Sequence, residues 1–363
     1  MFHYMMPTNL YFGKDCLEQS GDILTKYGKK ALLVTGKHSA KVNGSQQAVT
    51  DTLEKLGISW VLFDDVESNP SIATVRRAAD FGKAEGADFV IAIGGGSPMD
   101  AGKVIALLCT NDLDDTALFT GPYKKPLPII TVPTTSGTGS EVTEYAILTN
   151  IHAGTKQSVA SPMIFPSASF CDPSFTMGIL PKVTIDTAID ALSHAVEGYM
   201  ATTSTPISDS WAEEAIRFIG MHLTALNQEI SYAIREDLMY GSTLAGIVIA
   251  QTGTTLIHGM GYPLTYYKGL SHGRANGILF PHYMKLMEET MPDKVDKIWE
   301  LLDVDGLEEF TDIIKELMPD TVALTEEEIA KFTALTMPTG AVKHTSYHVT
   351  PELVADIYRK LKN

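Results

Sequence analysis

The sequence predicts an α/β domain built on a parallel sheet, followed by an all-α domain. The chain has 363 residues. This length exceeds that of a domain built around a single small hydrophobic core, so we expect two domains. Its first half alternates short apolar runs with amphipathic segments, which is typical of βαβ units and a parallel sheet. After about residue 180, apolar residues recur at helical spacing instead. We therefore assign residues 1–180 and 181–363 to the two domains.

Four apolar runs in the first half are candidate strands. Each is short, and a glycine, a proline or a pair of aspartates follows it. The segments between the first three have apolar residues at helical spacing, so they predict helices. The strand runs are KKALLVTG (29–36), ISWVLFDDV (58–66), DFVIAIGGGS (88–97) and LPIITVPTT (127–135), and the helical segments are GSQQAVTDTLEKLG (44–57) and SIATVRRAADFGKAEG (71–86).

The second half contains three clear helical patterns, at residues 211–230, 235–251 and 272–289. One stretch, Leu238 to Tyr267, carries no Asp, Glu, Lys or Arg and resembles a membrane span in a hydropathy scan. It also contains several glycines and threonines, His258 and the helix breaker Pro263. We interpret it as one or two buried helices beside a site.

Composition and charge exclude several function classes. The formal net charge is −16 and no run of Lys and Arg is visible, so binding to nucleic acid or to an anionic membrane is not expected. The three cysteines are far apart and form no CxxC pair, which favours a reducing compartment. The N-terminus lacks the basic and apolar regions of a signal peptide. We therefore expect a cytoplasmic protein.

Two loops at predicted strand ends are suited to a nucleotide. GGGSPMD (94–100) lies between an apolar run and a helical pattern, where glycines allow a sharp turn and a close approach to a ligand. The N-terminus of the following helix offers free N–H groups to a phosphate. VPTTSGTGSEVT (132–143) is rich in hydroxyl groups that can bind phosphate or ribose oxygens. Neither loop is a GxGxxG fingerprint, and either one alone is also explained as a tight turn or a helix cap.

The loop after the first predicted strand bears on which cofactor is bound. In many NAD-binding folds, an acid at this position holds the ribose 2′-hydroxyl. Here Gly36 takes that place, and Ser39 and Lys41 follow in the loop TGKHSAKVNG. Glycine and lysine accept a 2′-phosphate that an acid would repel. The loop therefore favours NADP(H), with NAD(H) as the alternative if nearby acids fold into this position.

Asp190 and His194 are four residues apart in the apolar stretch TAIDALSHAVEGYM. They lie on one helical face, and a buried carboxylate needs a cation. That cation is protonated His194, Lys182 or a metal ion. His258 and His272 also stand in unusual settings, one in the uncharged stretch and one opening a helical pattern. One carboxylate and three imidazoles suit Fe(II) or Zn(II), whereas a histidine in a helix is also explained as an ordinary hydrogen-bonded residue.

Four ordered motifs, GGGSPMD, PTTSGTGSEVT, DALSHAVEGY and HGMGYPL…HGRANGILFPH, resemble the iron-containing (group III) alcohol dehydrogenase family, and within it the butanol and 1,3-propanediol dehydrogenases. The resemblance implies a dehydroquinate synthase-like architecture. Its N-terminal domain would bind a dinucleotide, its helical C-terminal domain would bind a metal, and the active site would lie in the cleft between them. It implies Fe2+, or Zn2+ as in some relatives, on Asp190, His194, His258 and His272, which are the catalytic residues by the same resemblance.

The resemblance also assigns cofactor contacts, and the sequence departs from the family at two positions. Gly36 replaces the aspartate of many NAD-dependent relatives. Tyr262 replaces a histidine with a proposed proton-relay role, and its side chain does not titrate near neutral pH. The cofactor contacts that carry over are Asn69, Gly95, Gly96, Ser97, Asp100, Thr134, Thr135, Thr138 and Lys156.

These motifs predict hydride transfer between NADP(H) and a small primary alcohol or diol. We expect a homo-oligomer, most simply a homodimer. A glycerol dehydrogenase-like or dehydroquinate synthase-like enzyme on the same fold is the alternative. The latter class needs several Lys and Arg residues for a phosphorylated or acidic substrate, and only Lys182, Lys268 and Arg274 lie near the candidate ligands in sequence. A non-catalytic nucleotide-binding module is the second alternative, and an intact set of four ligands argues against it.

Overall fold

A computed structural model describes residues Met1–Leu361 and divides the chain into two units. The unit that we call the sheet unit comprises Met6–Ile179 and Ser231–Met239. The helical unit comprises Met1–Met5, Leu180–Ile230 and the described residues from Tyr240 onwards. Each unit has its own core and is described separately below.

The sheet unit contains a six-stranded sheet in which every pairing is parallel. The strand order is β1-β8-β5-β4-β2-β3, and β6 and β7 form a separate antiparallel hairpin. All four predicted strands are confirmed, as β2 to β5. The sequence patterns did not indicate β1, β8 or the hairpin. The bounds are β1 Asn9–Phe12, β2 Lys30–Thr35, β3 Ser59–Phe63, β4 Phe89–Gly94, β5 Ile129–Pro133, β6 Tyr145–Asn150, β7 Thr155–Ala160 and β8 Ala168–Cys171.

Helices cover both faces of this sheet. Successive side chains of a strand point to opposite faces, so Leu33 and Ile91 pack into one core with Leu53, whereas Leu32 enters a second core with Val104. Burial on both faces explains why the strands are nearly continuous apolar runs. The helices of this unit are α1 Cys16–Ser20, α2 Ser39–Val42, α3 Ser45–Lys55, α4 Ile72–Ala84, α5 Gly96–Thr110 and α6 Ala117–Thr120, with 3-10 turns at Gly21–Lys26, Ser140–Val142, Pro162–Ile164 and Pro173–Thr176.

The helical unit confirms the predicted change from strands to helices. The uncharged stretch forms parts of two helices, α9 and α10, and no helix among residues 1–361 is long and apolar enough to cross a membrane. The helices after residue 180 are α7 Pro181–Met200, α8 Pro206–Gly220, α9 Tyr232–Thr252, α10 Leu256–Lys268, α11 His272–Gly277, α12 Phe280–Thr290, α13 Pro292–Leu302, α14 Leu307–Leu317, α15 Glu326–Thr336, α16 Gly340–His344 and α17 Pro351–Lys360, with a 3-10 turn at Leu223–Ala225. Residues 232–239 of α9 are assigned to the sheet unit.

Small residues allow other helices to pack closely on α7. A Cβ atom on Gly273 of α11 would lie 1.8 Å from the carbonyl oxygen of Asp186. A Cβ atom on Gly198 would lie 2.3 Å from a methyl group of Val248 in α9. Glycine is therefore required at residue 273, where a side chain would collide with backbone atoms, and a side chain at residue 198 would displace Val248. The close approach at Gly273 is accompanied by hydrogen bonds between polar residues of α7 and α11.

Candidate metal centre and nucleotide-binding edge

Three of the four predicted metal ligands converge in the helical unit. Asp190 and His194 project from one face of α7, and His258 lies in the first turn of α10. Each offers one ligand atom, and these atoms lie within 4.8 Å of one another. All three residues are at most 5% exposed. A carboxylate and imidazoles at this separation form a donor set suited to a divalent transition metal.

His272 lies at the open side of the same cluster. It is the first residue of α11, and its Nε2 atom is 3.9 Å from Oδ1 of Asp190. Its ring centroid is 5.1 Å from that of His258. Its side chain is 24% exposed, compared with 2% for His258. The structure thus brings all four predicted ligands together, and His272 borders solvent.

Lys182 does not serve as the counter-ion of Asp190. It is exposed in the first turn of α7, and eight residues of helix separate the two positions by about 12 Å along the axis. That interpretation of the sequence is wrong. The groups that surround Asp190 are imidazoles and an amide.

The amide belongs to Asn276, which sequence reasoning missed. Its Nδ2 atom lies 2.8 Å from Oδ1 of Asp190, 3.1 Å from Nε2 of His258 and 3.4 Å from Nε2 of His272. Asn276 is fully buried. It stands four residues after His272, on the same face of the helical segment, and that spacing was the available signal. The amide donates to the carboxylate at the centre of the cluster.

Glu197 is a second residue that sequence reasoning missed. It is fully buried on α7, three residues after His194. One of its carboxylate oxygens contacts Nδ1 of His258, and the other accepts a 2.7 Å hydrogen bond from the Thr255 hydroxyl. Thr255 is also 3.0 Å from the hydroxyl of Tyr283, whose pKa is raised by burial and by the Glu197 carboxylate. Tyr283 therefore remains a neutral phenol.

Tyr262 packs on the partly exposed His272. Its ring stacks on His272 with centroids 5.4 Å apart and an interplanar angle of 10°. It lies on α10, one helical turn after His258. The aromatic ring thus covers one face of the His272 imidazole.

In the sheet unit, the two predicted nucleotide loops meet at the carboxyl ends of β4 and β5. A Cβ atom on Gly95 would lie 3.1 Å from the hydroxyl oxygen of Thr135, and one on Gly96 would lie 2.7 Å from a methyl group of Thr138. The backbone N–H of Thr134 donates to the carbonyl of Gly94 over 2.9 Å. The two loops therefore pack directly against each other.

The N-terminus of α5 lies within this edge. No side chain caps it, so its first N–H groups are available to an anion. The Ser97 hydroxyl accepts a 3.1 Å hydrogen bond from the backbone N–H of Asn69, which has a positive φ of 57°. This contact joins the loop after β3 to the glycine loop and places Asn69 beside the helix terminus.

Asp100 and Lys156 lie behind the loops. The carboxylate of Asp100 accepts hydrogen bonds from the Ser140 hydroxyl over 2.6 Å and from the Ile147 backbone over 3.0 Å. Burial raises the pKa of Asp100, and the charges of Lys103 and Lys156 oppose that rise. One oxygen of Asp100 therefore bonds the loop after β5, and the other bonds the β6–β7 hairpin. Lys156 lies in this hairpin, opposite Thr149 on the neighbouring strand.

The positions predicted to bind the ribose lie at the end of β2, beside β3. Lys41 forms a 2.6 Å ion pair with Asp64, and Lys37 forms a 2.9 Å ion pair with Asp65. Both aspartates follow β3, which pairs with β2, so acids from the neighbouring strand do fold in here. The side chain of Ser39 is exposed in the first turn of α2. A Cβ atom on Gly36 would lie 3.4 Å from the carbonyl of Val66, an ordinary contact.

Two family models match the chain. Residues 7–173 match the model for iron-containing alcohol dehydrogenases, and residues 184–358 match the C-terminal model of the Fe-containing alcohol dehydrogenase family. The chain is 34% identical over 354 residues to the 1,3-propanediol dehydrogenase of Klebsiella pneumoniae. This alignment covers 95% of this chain and 88% of the relative.

Solved structures of alcohol dehydrogenases and aldehyde reductases are also similar to this chain. An iron-containing alcohol dehydrogenase of Thermotoga maritima is 41% identical with a TM-score of 0.93, and the match covers 100% of this chain and 99% of that one. A sulfoacetaldehyde reductase of Bifidobacterium kashiwanohense, in complex with NAD+, is 28% identical with a TM-score of 0.90, again covering 100% and 99%.

Proposed function

The chain belongs to the iron-containing alcohol dehydrogenase family, and from that premise we propose that it interconverts a small primary alcohol or diol and its aldehyde with NADP(H). Alcohol dehydrogenase or aldehyde reductase activity follows from the family. The metal ligands, the identity of the nucleotide and the class of alcohol are our proposals. We also propose that residues 1–180 bind the dinucleotide, that residues 181–363 bind metal and substrate, and that the protein is a cytoplasmic homodimer.

The observation that carries the metal assignment is the buried cluster of Asp190, His194 and His258, with His272 beside it. One oxygen and three nitrogen donors fit Fe(II) or Zn(II), and fit Mg(II) or Ca(II) poorly, since those ions prefer all-oxygen sites. When bound, such an ion supplies Lewis-acid chemistry, which polarises a carbonyl and lowers the pKa of a hydroxyl.

The residues around the cluster would orient the substrate and exclude water. Asp190, His194 and His258 are closed off from solvent, so a substrate oxygen would approach past the partly exposed His272. The Tyr262 ring stacked on His272 narrows that approach with an apolar surface. Tyr262 lacks an imidazole, so a proton relay at this position would have to use water, the cofactor ribose or another group.

The charges near the cluster favour an uncharged substrate. Arg274 is buried and forms ion pairs with Asp186 and Asp320. Lys268 pairs with Glu328 over 2.5 Å. These cations are therefore already neutralised by protein carboxylates. A dehydroquinate synthase-like reaction on a phosphorylated or acidic substrate would need unpaired cations, so an alcohol or aldehyde is the better fit.

The sheet unit offers two loops and a helix N-terminus for the cofactor. The N–H groups of α5 and the hydroxyls of Thr135 and Thr138 suit a pyrophosphate. Gly36 and Lys41 support NADP(H), since neither repels a 2′-phosphate. Asp64 and Asp65 act against this preference, because a phosphate would compete with them for the two lysines. Because the similar sulfoacetaldehyde reductase was solved with NAD+, NAD(H) is the cofactor against which NADP(H) should be compared.

One experiment tests the proposal. The purified protein is analysed for metal and then assayed for NADPH and NADH oxidation with a panel of small aldehydes. A chelator should abolish turnover, and Fe(II) or Zn(II) should restore it. Full turnover after complete metal removal would contradict the metal centre, and a strong preference for NADH would contradict the NADP(H) assignment alone.

A further inference from the structure

Glu197 is a fully buried carboxylate that contacts the proposed metal ligand His258 but does not itself belong to the cluster of Asp190, His194 and His258. Its Oε2 atom contacts Nδ1 of His258. Burying an ionised carboxylate is costly unless hydrogen bonds and a nearby cation compensate for the lost hydration. The groups that contact Glu197 therefore indicate what stabilises its buried carboxylate.

The contact fixes which nitrogen of His258 faces the cluster. A carboxylate accepts hydrogen bonds, so Nδ1 carries the proton that is donated to Glu197. The opposite nitrogen, Nε2, then keeps its lone pair. That atom lies 3.8 Å from Oδ1 of Asp190 and 3.1 Å from Nδ2 of Asn276. Glu197 thus selects the tautomer in which His258 presents a lone pair to the metal position.

Glu197 also caps a helix, which is a purely structural alternative. Its Oε1 atom accepts hydrogen bonds from the Thr255 backbone over 3.1 Å and from the His258 backbone over 3.4 Å. These groups lie at the N-terminus of α10, where a negative charge is favourable. A capping role explains the stability of α10, but it does not explain why the second oxygen is directed at the imidazole.

We propose that Glu197 is a positioning residue of the metal centre, which orients His258 and, together with Asp190, balances the charge of a divalent ion. This rests on the proposed function, since it requires the metal site. Carboxylates that hold metal-bound histidines raise ligand basicity, and their loss typically weakens metal binding about 10–100-fold. The Glu197→Gln variant keeps an oxygen that can cap α10 but lacks the charge.

The test measures metal affinity directly, without turnover. Wild type and Glu197→Gln are stripped of metal and titrated with Zn2+ against a competing chelator, and with Co2+ by absorption spectroscopy. We expect binding about 10–100-fold weaker in the variant and an altered Co2+ spectrum. Glu213→Gln is the matched control, because Glu213 lies on α8 and accepts a hydrogen bond from the Tyr199 hydroxyl of α7, and neither residue belongs to the proposed ligand set.

The outcomes separate the inference from the proposed function. If wild type binds neither ion, the proposed metal centre fails. If wild type binds and Glu197→Gln binds equally well, Glu197 is only a helix cap and the inference fails. Should the variant not fold, the 15N shifts of His258 in wild type decide the matter. A proton on Nδ1 supports the inference, and a proton on Nε2 overturns it.

Discussion

The side-chain amide of Asn276 donates a 2.8 Å hydrogen bond to Oδ1 of Asp190. The same amide lies within 3.4 Å of Nε2 of both His258 and His272. It therefore holds the carboxylate at the point where the four proposed ligands meet. The side-chain amide of Asn276 is neutral and does not titrate, so this hydrogen-bond donor is present at any pH.

Replacing Asn276 by Ala should weaken metal binding about 10-fold, because Asp190 would lose the donor that orients its carboxylate. Zn2+ titration against a chelator measures this. Asn227→Ala is the control, since Asn227 is exposed and its amide donates to Glu316 at the surface. Equal losses in the two variants would contradict a specific role for Asn276.

Removing the metal should destabilise the wild-type protein. A ligand that binds only the folded state contributes about 2.7 kcal/mol at a concentration 100 times its dissociation constant. We expect a chelator to lower the melting temperature of wild type, and to have no effect on His258→Ala, which should already have lost the metal. Scanning calorimetry with and without chelator checks this, and full metal occupancy in the variant would remove His258 from the ligand set.

Gly273→Ala should disrupt the approach of α11 to α7. The new methyl group would lie 1.8 Å from the backbone of Asp186, so one helix must move, at a typical cost of about 1–3 kcal/mol. His272 is the neighbouring residue, so metal affinity should fall as well. Gly340→Ala is the control, because its methyl group would meet nothing closer than 3.9 Å. Urea denaturation gives the free energies, and similar values for both variants would exclude the steric argument.

Lys103 should give the stability of the protein a distinct pH dependence. It is fully buried and donates to the carbonyl of Tyr145, and burial lowers its pKa to about 8. Between pH 8 and the ordinary lysine pKa of 10.5, the unfolded chain binds more protons than the folded one. Stability due to this group therefore rises with pH in that window, by at most about 1.4 kcal/mol per pH unit.

Lys103→Met tests this assignment, because methionine fills similar space without a charge. The difference in unfolding free energy between wild type and Lys103→Met should grow in favour of wild type from pH 8 to pH 10. Urea denaturation at several pH values measures it. A difference that stays constant over this window would show that Lys103 titrates normally.

Gly36→Asp should shift the cofactor preference towards NADH. An added carboxylate at the end of β2 would repel a 2′-phosphate and could bind a ribose hydroxyl. We expect kcat/KM for NADPH to fall about 10-fold or more, which corresponds to at least about 1.4 kcal/mol, with NADH little affected. Gly36→Ala supplies the same Cβ atom without the charge. If the two variants have the same kcat/KM for NADPH, the 2′-phosphate of the cofactor does not lie near residue 36.

The sequence by itself determined the architecture and most of the candidate site. Alternating apolar runs predicted the parallel strands β2 to β5, because strands buried on both faces must be apolar. The four-residue spacing of Asp190 and His194 predicted a shared helical face. The unusual settings of His258 and His272 made them further candidates, and the family resemblance then implied that all four residues hold one metal.

Only the tertiary structure decided which polar groups complete the site. Glu197 and Asn276 are ordinary polar residues in helical patterns, and their partners lie 61 and 86 residues away in the chain. Likewise, Lys41 meets Asp64 only because β2 pairs with β3. Periodicity tells which face of an element is buried, but hydrogen bonds act over about 3 Å. Their partners are therefore set by how the helices and strands pack, which no local pattern records.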